Sequence, residues 1–301
     1  MSNGIRFGHW PASLFACAVV VMIALSATAQ DTDTRSVTPE EFVKARPEKP
    51  QTKPAVRSGY KLVSAPVKTG SGPMRQMGIT IWRLRPSVSS DGGPRILVQE
   101  AAESTSWTPH RVAAGSPMRE GDRVRISIES PWTGYLYVID REQYAGGKVG
   151  EPYLIFPTTR IHSGDNQVSA GKLIEIPAQE DRPNYFTLHQ GKDGQMGEQL
   201  TVIVSDKPVE GINVGADAQA LSPEQVAAWQ KKWRGAMQRF EMVGGVGRAW
   251  TRAEQQAGLD GTRRLTQDEP GPQTVYSVAV PAGQPFFAQV ELSYSIQHAA
   301  R

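Results

Sequence analysis

The clearest pattern in the chain is a strict alternation of apolar and polar residues over Arg123–Glu129. Val124, Ile126 and Ile128 fall on one face of an extended segment, and charged or hydroxyl side chains fall on the other. A period of two residues is typical of a β-strand that lies half buried on a core. The turn-forming composition of Ser130–Gly134 ends this predicted strand.

Similar short segments recur on both sides of this strand, separated by clusters of Gly, Pro, Asp and Asn. Tyr135–Ile139 is apolar or aromatic on both faces, which favours a central strand that is covered on both sides. The other predicted strands are 78–84, 95–100, 153–156, 173–176, 185–189 and 200–204. Many short strands with frequent turns predict a mainly β fold, an antiparallel β-sandwich or barrel.

The apolar period changes to three or four residues after position 206. Ser222-Pro223-Glu224-Gln225 has the arrangement of a capping box, with Ser222 as the N-cap. The apolar stripe that follows consists of Val226, Trp229, Trp233, Met237 and Phe240. This spacing predicts one helix of about five turns, which Gly244-Gly245 ends.

The C-terminal part is predicted to contain a short helix and two strands. Thr251-x-x-Glu254 caps the short helix, which Gly258 ends. Residues 274–280 and 286–292 flank the turn Pro281-Ala282-Gly283 and predict a β-hairpin. Because a lone hairpin is barely stable in water, we expect it to rejoin the sheet. The helices would then form an insertion or a side layer on the sandwich.

Residues 1–29 have the organisation of a secretory signal peptide. A weakly basic leader precedes the apolar run Leu14–Leu25, and the small residues Ala27 and Ala29 form an A-x-A cleavage site. The run is short for a membrane span, which needs roughly 20 apolar residues. We therefore predict a protein exported to the bacterial periplasm or the extracellular space, with no membrane span in the mature chain. The alternative is an uncleaved membrane anchor.

Residues 30–75 are rich in proline and polar residues and poor in apolar ones. Such a segment cannot bury enough surface to offset its ordering entropy, so we predict a disordered, Pro-rich tether. Thr38-Pro39-Glu40-Glu41 predicts one short helix inside it. The predicted domains after the tether are a β-sandwich over 76–206, a helical segment over 207–273 and a hairpin over 274–296.

Cysteine content and net charge limit the kinds of site and partner that the mature chain can have. Cys17 is the only cysteine and leaves with the signal peptide, so the mature chain has no disulfide, thiolate metal site or thiol nucleophile. The formal net charge of +3 is too small to favour nucleic acid or an anionic membrane as a partner. We therefore expect no nucleic-acid partner.

Five motifs occur in a fixed order over about residues 116–206. They are Gly121-Asp122-x-Val124-Arg125-Ile126-Ser127-Ile128, Gly134-Tyr135-Leu136-Tyr137-Val138-Ile139, Leu154-Ile155-Phe156-Pro157, Gly171 with Ile176-Pro177, and Glu198-x-Leu200-Thr201-Val202-Ile203-Val204. Together they resemble the bacterial family called domain of unknown function 4384. The resemblance implies an immunoglobulin-like β-sandwich of unknown molecular role, which in other proteins looks like an accessory of kinase-like or caspase-like domains. No catalytic residues are defined for the family, so the resemblance assigns none to this chain.

The sequence contains only weak indications of catalytic residues. His162-Ser163-Gly164-Asp165 contains the residue types of a triad, but adjacent residues rarely point at one another, so a turn is favoured. Asp140-Arg141-Glu142 and Glu180-Asp181 are carboxylate pairs at strand ends, and a glycosidase needs two carboxylates that face each other across a cleft. No paired metal-ligand spacing occurs. We predict no catalytic, cofactor-binding or metal-binding residues.

Aromatic residues near one turn are the candidate binding surface. Trp132 lies in a turn beside Tyr135, and exposed loop aromatics serve as binding anchors. We predict a surface formed by Trp132, Tyr135 and Tyr144; the alternative is that Trp132 folds back over the end of the sandwich.

The favoured function is a non-catalytic cell-envelope module that binds an unidentified envelope protein or polymer. Alternatives are a hydrolase that uses the loop carboxylates or His162, and a structural subunit or spacer of an envelope assembly. The oligomeric state stays open.

Overall fold

The computed structural model describes residues 38–48, 59–64, 72–100, 103–260 and 263–294. They belong to one compact unit that spans Ser36–Arg301. The predicted signal peptide, with Ala27 and Ala29, lies outside the described residues. The described parts form a mainly β structure with two sheets.

Sixteen strands and three α-helices make up this structure. In chain order, the strands are β1 (Tyr60–Leu62), β2 (Met74–Pro86), β3 (Ile96–Glu100), β4 (Glu103–Val112), β5 (Pro117–Met118), β6 (Arg123–Ser130), β7 (Gly134–Tyr144), β8 (Tyr153–Phe156), β9 (Gln167–Val168), β10 (Lys172–Ile176), β11 (Phe186–Thr187), β12 (Gln195–Ser205), β13 (Gln219–Ala220), β14 (Met237–Met242), β15 (Thr274–Ala279) and β16 (Phe286–Tyr294). The helices are α1 (Pro39–Lys44), α2 (Pro223–Trp233) and α3 (Arg252–Asp260).

The strands divide between the sheets without following chain order. The first sheet has the order β1-β14-β15-β2-β4-β3, and β6 also pairs with β2, β10 and β11. The second has the order β13-β8-β7-β12-β16-β5, and β9 also pairs with β7. The pairing of β16 with β5 is parallel, and the other described pairings are antiparallel.

One apolar core is shared by the two sheets. Because side chains alternate across a strand, every second residue of the long strands points into this core. Representative buried members from both sheets are Ile79, Ile126, Val278, Val138, Val202 and Val290. The opposite faces carry helices: α1 and α3 contact the first sheet, and α2 contacts the second.

The outward face of β6 is also buried, although its alternation predicts a solvent-exposed face. Arg125 is buried there and donates from Nη2 to Glu175 Oε2 on β10 at 2.6 Å. Glu129 is buried as well and accepts from Arg46 at 2.6 Å. Charged side chains tolerate this position because each one has an oppositely charged, hydrogen-bonded partner.

Three segments of the predicted tether belong to the folded unit, and the last of them, residues 72–75, contains the start of β2. Residues 38–48 contain α1, which buries Phe42, and place Arg46 beside Glu129. Residues 59–64 contain β1, which pairs with β14. The prediction of a disordered tether is therefore wrong for these segments, while the short helix predicted inside it is confirmed. A buried ion pair and an edge-strand ladder hold the first two segments, rather than a large apolar surface.

The single long helix predicted from Ser222 is wrong in its second half. The helix α2 ends at Trp233, and Met237 and Phe240 lie on β14. Strand β14 pairs with β15 and β1, so the first sheet takes up the residues that would have continued the helix. Between α2 and β14 the chain passes close to β15 at Gly235, where a Cβ would lie 2.0 Å from the carbonyl oxygen of Ala279.

The short helix predicted from Thr251 is confirmed as α3, with its capping box formed. Thr251 N donates to Glu254 Oε2 at 2.9 Å, and Glu254 N donates to Thr251 Oγ1 at 3.3 Å. The helix does not end at Gly258. A Cβ at Gly258 would lie 2.2 Å from Glu175 Cδ, so this glycine allows α3 to pack closely on β10.

The predicted C-terminal hairpin is wrong, although both strands exist. Strand β15 lies between β14 and β2 in the first sheet, while β16 lies between β12 and β5 in the second. Residues 280–285 therefore cross from one sheet to the other. Each strand has longer ladders with its sheet neighbours, so sequence proximity does not decide the pairing.

Candidate functional site

A cleft of about 630 Å³ lies beside α2 on the second sheet. We call it the α2 cleft. One wall is the chain that leaves β12, another is α2, and the third is the end of the crossover into β16. Its lining residues are Ser205, Asp206, Lys207, Pro208, Val209, Glu210, Ala228, Trp229, Lys232, Trp233, Gly283, Gln284 and Pro285. Its volume is within the range of small-molecule sites in proteins.

The sequence builds the helical wall from a cap and an apolar stripe. Ser222 Oγ accepts a hydrogen bond from Gln225 N at 3.2 Å, which fixes the start of α2. Val226 and Trp229 are buried against the outward face of the second sheet. Trp233 lies one turn further along and stacks on Trp229, with ring centroids 5.5 Å apart and an interplanar angle of 10°. The core thus fixes Trp229, and Trp229 fixes the ring of Trp233.

The loop wall is also held in place. Ser205 Oγ donates to the carbonyl oxygen of Lys207 at 2.5 Å. The hydroxyl of Tyr137, on β7, accepts from Val209 N at 3.0 Å. Gln225 Nε2 on α2 donates to a carbonyl of the same loop at 3.4 Å. The cleft is therefore formed before any ligand arrives, which lowers the entropic cost of binding.

Charge in the α2 cleft is balanced. Asp206 and Glu210 are acidic, and Lys207 and Lys232 are basic. All four are exposed. The cleft therefore offers hydrogen-bond donors and acceptors around an aromatic wall without favouring one sign of ligand charge.

The structure does not bring the three predicted binding residues together. Tyr135 packs beneath the α2 cleft in the apolar cluster that contains Trp229 and Trp233. Tyr144 lies at the opposite end of β7, which starts at Gly134.

Trp132 does not stand free in its turn. Its ring lies 5.4 Å from that of Phe286, and the guanidinium of Arg75 lies 5.2 Å from its centroid. It is partly buried against the shared core. This is the alternative in which Trp132 folds back over the end of the sheets.

The sequence alone does not identify Trp229 and Trp233 as residues that line a cleft. Their helical spacing predicts contacts with the core, and Trp229 makes them. Trp233 is the last residue of α2, so it lies only partly over the sheet and contributes to the cleft. The sequence feature that could have indicated the cleft is a tryptophan at the end of an apolar stripe, next to lysines.

Asp140 and Glu142, predicted to lie at a strand end, lie within β7, because this strand runs on to Tyr144, and they form a cluster with a third carboxylate from β12. Glu142 lies directly opposite Glu198 in the ladder, and Asp140 lies two residues away on the same face. We call Asp140, Glu142 and Glu198 the acidic cluster. Burial, reinforced by the neighbouring charge of Glu198, raises the pKa of Asp140 to about 8. Burial also raises the pKa of Glu198.

His162 and Asp181, which the sequence offered as candidate catalytic residues, make contacts that stabilise a loop. His162 Nε2 donates to the carbonyl oxygen of Glu175 at 2.6 Å, and its ring meets that of Phe156 edge-on at 5.8 Å. Asp181 accepts from the backbone N of His162 at 3.3 Å and of Ala178 at 2.7 Å. These contacts place the imidazole on a backbone carbonyl rather than on a hydroxyl nucleophile. They do not support a triad.

Two further findings concern only the described residues. No three or more His, Cys, Asp or Glu side chains in these parts are placed so that they could hold a metal ion. No helix there has the length and apolarity that crossing a membrane requires.

Comparison of the chain with protein-family models, with curated proteins and with solved structures found no match in any of the three.

Proposed function

We propose that this protein is an exported, non-catalytic module of a bacterial cell envelope that binds an envelope polysaccharide in the α2 cleft. The observation that carries the proposal is the stacked pair of Trp229 and Trp233 in the wall of a preformed cleft. Export rests on the signal-peptide pattern of residues 1–29. An immunoglobulin-like β-sandwich related to the domain of unknown function 4384 family is part of the same proposal. Two antiparallel-rich sheets around one core support it.

A saccharide fits the α2 cleft better than a strongly anionic envelope polymer does. A sugar ring has an apolar face of C–H groups and a rim of hydroxyls. The indole of Trp233 supplies a flat apolar surface for the face, and the surrounding carboxylates, lysines and Gln284 supply partners for the rim. A strongly anionic polymer would meet Asp206 and Glu210 and would require an excess of basic groups.

Co-sedimentation with isolated bacterial peptidoglycan tests the binding part of this proposal. We expect the purified protein to sediment with the polymer, and Trp233→Ala to weaken binding by about 2 kcal/mol, or roughly thirty-fold in Kd. Trp107→Ala is the matched control, because Trp107 is also partly buried but packs under Arg123 at 4.3 Å, away from the cleft residues. Equal binding by the wild type and Trp233→Ala would contradict the assignment of the cleft.

Export has a separate test. We expect the protein recovered from a bacterial host that expresses the full chain to begin at Gln30. Recovery from the cytoplasm with an intact N-terminus would contradict export without bearing on the cleft. A spacer without ligand, the structural alternative, predicts no sedimentation with the polymer for any variant.

A further inference from the structure

The acidic cluster contains two buried oxygens that have no hydrogen-bond donor. Glu142 Oε2 accepts from Tyr144 Oη at 2.6 Å and from Lys192 Nζ at 3.3 Å. Glu198 Oε1 accepts from Gln195 Nε2 at 2.7 Å and from Tyr294 Oη at 2.8 Å. Asp140 Oδ1 and Glu198 Oε2 are buried without a donor from any other residue.

These two oxygens belong to side chains that lie within hydrogen-bonding reach of each other. Two ionised carboxylates in such contact would repel, since each offers only lone pairs. Water screens the repulsion little, because Glu198 is only 8% exposed and Asp140 Oδ1 is buried. One proton between them removes the repulsion and supplies the missing donor.

We propose that Asp140 and Glu198 form a proton-binding pair, in which Asp140 Oδ1–H donates to Glu198 Oε2. The site binds one proton and needs no metal or organic ligand. It is independent of the α2 cleft, which involves neither residue. Aspartic proteases and other carboxyl pairs in contact illustrate the general rule that two such groups share a single proton.

The acidic groups around the pair favour the bound proton, whereas the hydrogen bond from Tyr294 favours Glu198 as the ionised acceptor. Neighbours from β7, β16, the loop before β12 and the turn after β5 are Glu142, Tyr144, Tyr294, Lys192 and Glu120. Both neighbouring acids add negative charge. Lys192, the one cation among them, is 66% exposed and contacts Glu142 rather than the pair. Burial comes first among the causes that raise the pKa of Asp140.

The proton links three strands of the second sheet. Asp140 is on β7, Glu198 is on β12, and Tyr294 on β16 donates to Glu198. Tyr294 Oη also lies 3.3 Å from the carbonyl oxygen of His189, in the loop before β12. Loss of the proton leaves two negative charges at this junction. It therefore loosens the end of β16 and that loop at alkaline pH.

Infrared difference spectroscopy of the purified full chain measures the proton directly. The spectrum of wild type minus Asp140→Asn at neutral pH is expected to contain the carbonyl stretch of a protonated carboxylic acid. We expect this band to disappear as the pH rises through about 8. Glu291→Gln is the control, because Glu291 is an exposed carboxylate on the neighbouring strand and its removal changes only carboxylate bands.

Two results would overturn the proposal. One is a wild type minus Asp140→Asn spectrum that contains only ionised carboxylate bands at neutral pH. The other is a rise in melting temperature on addition of Ca²⁺ or Mg²⁺ that Asp140→Asn abolishes, because a cation would then hold the two oxygens. Because asparagine keeps the shape of aspartate and donates to Glu198, the variant is expected to fold. Its melting temperature at pH 8 should equal or exceed that of the wild type.

Discussion

Replacement of Arg46 with alanine should reduce the free energy of unfolding by about 3–5 kcal/mol, the usual cost of breaking a buried ion pair. Arg46 donates to Glu129 through Nε at 2.8 Å and Nη2 at 2.6 Å. The two side chains are 2% and 3% exposed. Arg46 Nη1 also donates to the carbonyl oxygens of Glu269 at 3.2 Å and Pro270 at 3.1 Å. Alanine would leave a buried carboxylate and two partly buried carbonyls without these partners.

A surface ion pair provides the matched control. Arg160 and Asp217 approach to 2.8 Å, but their side chains are 64% and 71% exposed. Water screens such a pair, so Arg160→Ala should change stability by about 0–1 kcal/mol. Removal of both charges, with Arg46→Met and Glu129→Gln together, should cost less than Arg46→Ala alone, because no ionised group is then left unpaired in the interior.

Equilibrium unfolding in urea at neutral pH measures these differences. We expect a lower transition midpoint for Arg46→Ala and little change for Arg160→Ala. Equal midpoints for the two variants would show that the buried ion pair does not stabilise the fold. Residues 38–48 would then behave as the tether that composition predicts. A chain starting at Met77 would also be destabilised, because it lacks Arg46, the partner of Glu129.

Three further changes test separate parts of the structure. Trp132→Ala should lower the unfolding free energy by about 2–4 kcal/mol, because its ring packs on Phe286, and should leave sedimentation with peptidoglycan unchanged. Gly258→Ala should cost about 1–3 kcal/mol in urea unfolding despite the helix preference of alanine, since its Cβ would overlap Glu175. Asp140→Asn should flatten the pH dependence of stability: wild-type stability should fall as the pH rises from about 4 to about 8, because the folded state raises this pKa from 3.8 to about 8. A wild type whose stability rises over that interval would contradict the last prediction.

Local patterns predicted individual elements well. Alternation located β6, and β8 has the bounds that its apolar run and Pro157 predict. The capping residues Ser222 and Thr251 located the starts of α2 and α3. These signals succeed because the cap and the alternation act between residues that are close in sequence.

Pairing and helix length depended on contacts that no local pattern contains. Phe240 continues the helical spacing of α2 but lies in a strand, because β15 and β1 are available on both sides. Strand β4 was not predicted, since its sequence is polar and contains Pro109. The position of Arg46 depends on Glu129, 83 residues away. Composition alone therefore underestimates the order of the N-terminal segment.

The candidate site was predictable only in part. The aromatic stripe that contains Trp229 and Trp233 is visible in the sequence, whereas the cleft needs the loop after β12 and the crossover before β16 to meet it. Asp140 was a candidate carboxylate from its place at a strand end. Its contact with Glu198 follows from the register of β7 and β12, which the sequence does not specify.

Nuclear magnetic resonance of the tryptophan indole N–H groups, during titration with soluble peptidoglycan fragments, locates the bound saccharide on the protein. We expect the resonances of Trp229 and Trp233 to shift with added fragment, while that of Trp107 stays in place. Shifts confined to Trp107 or Trp132, or no shift at any tryptophan at saturating fragment, would contradict the claim that the α2 cleft binds an envelope polysaccharide.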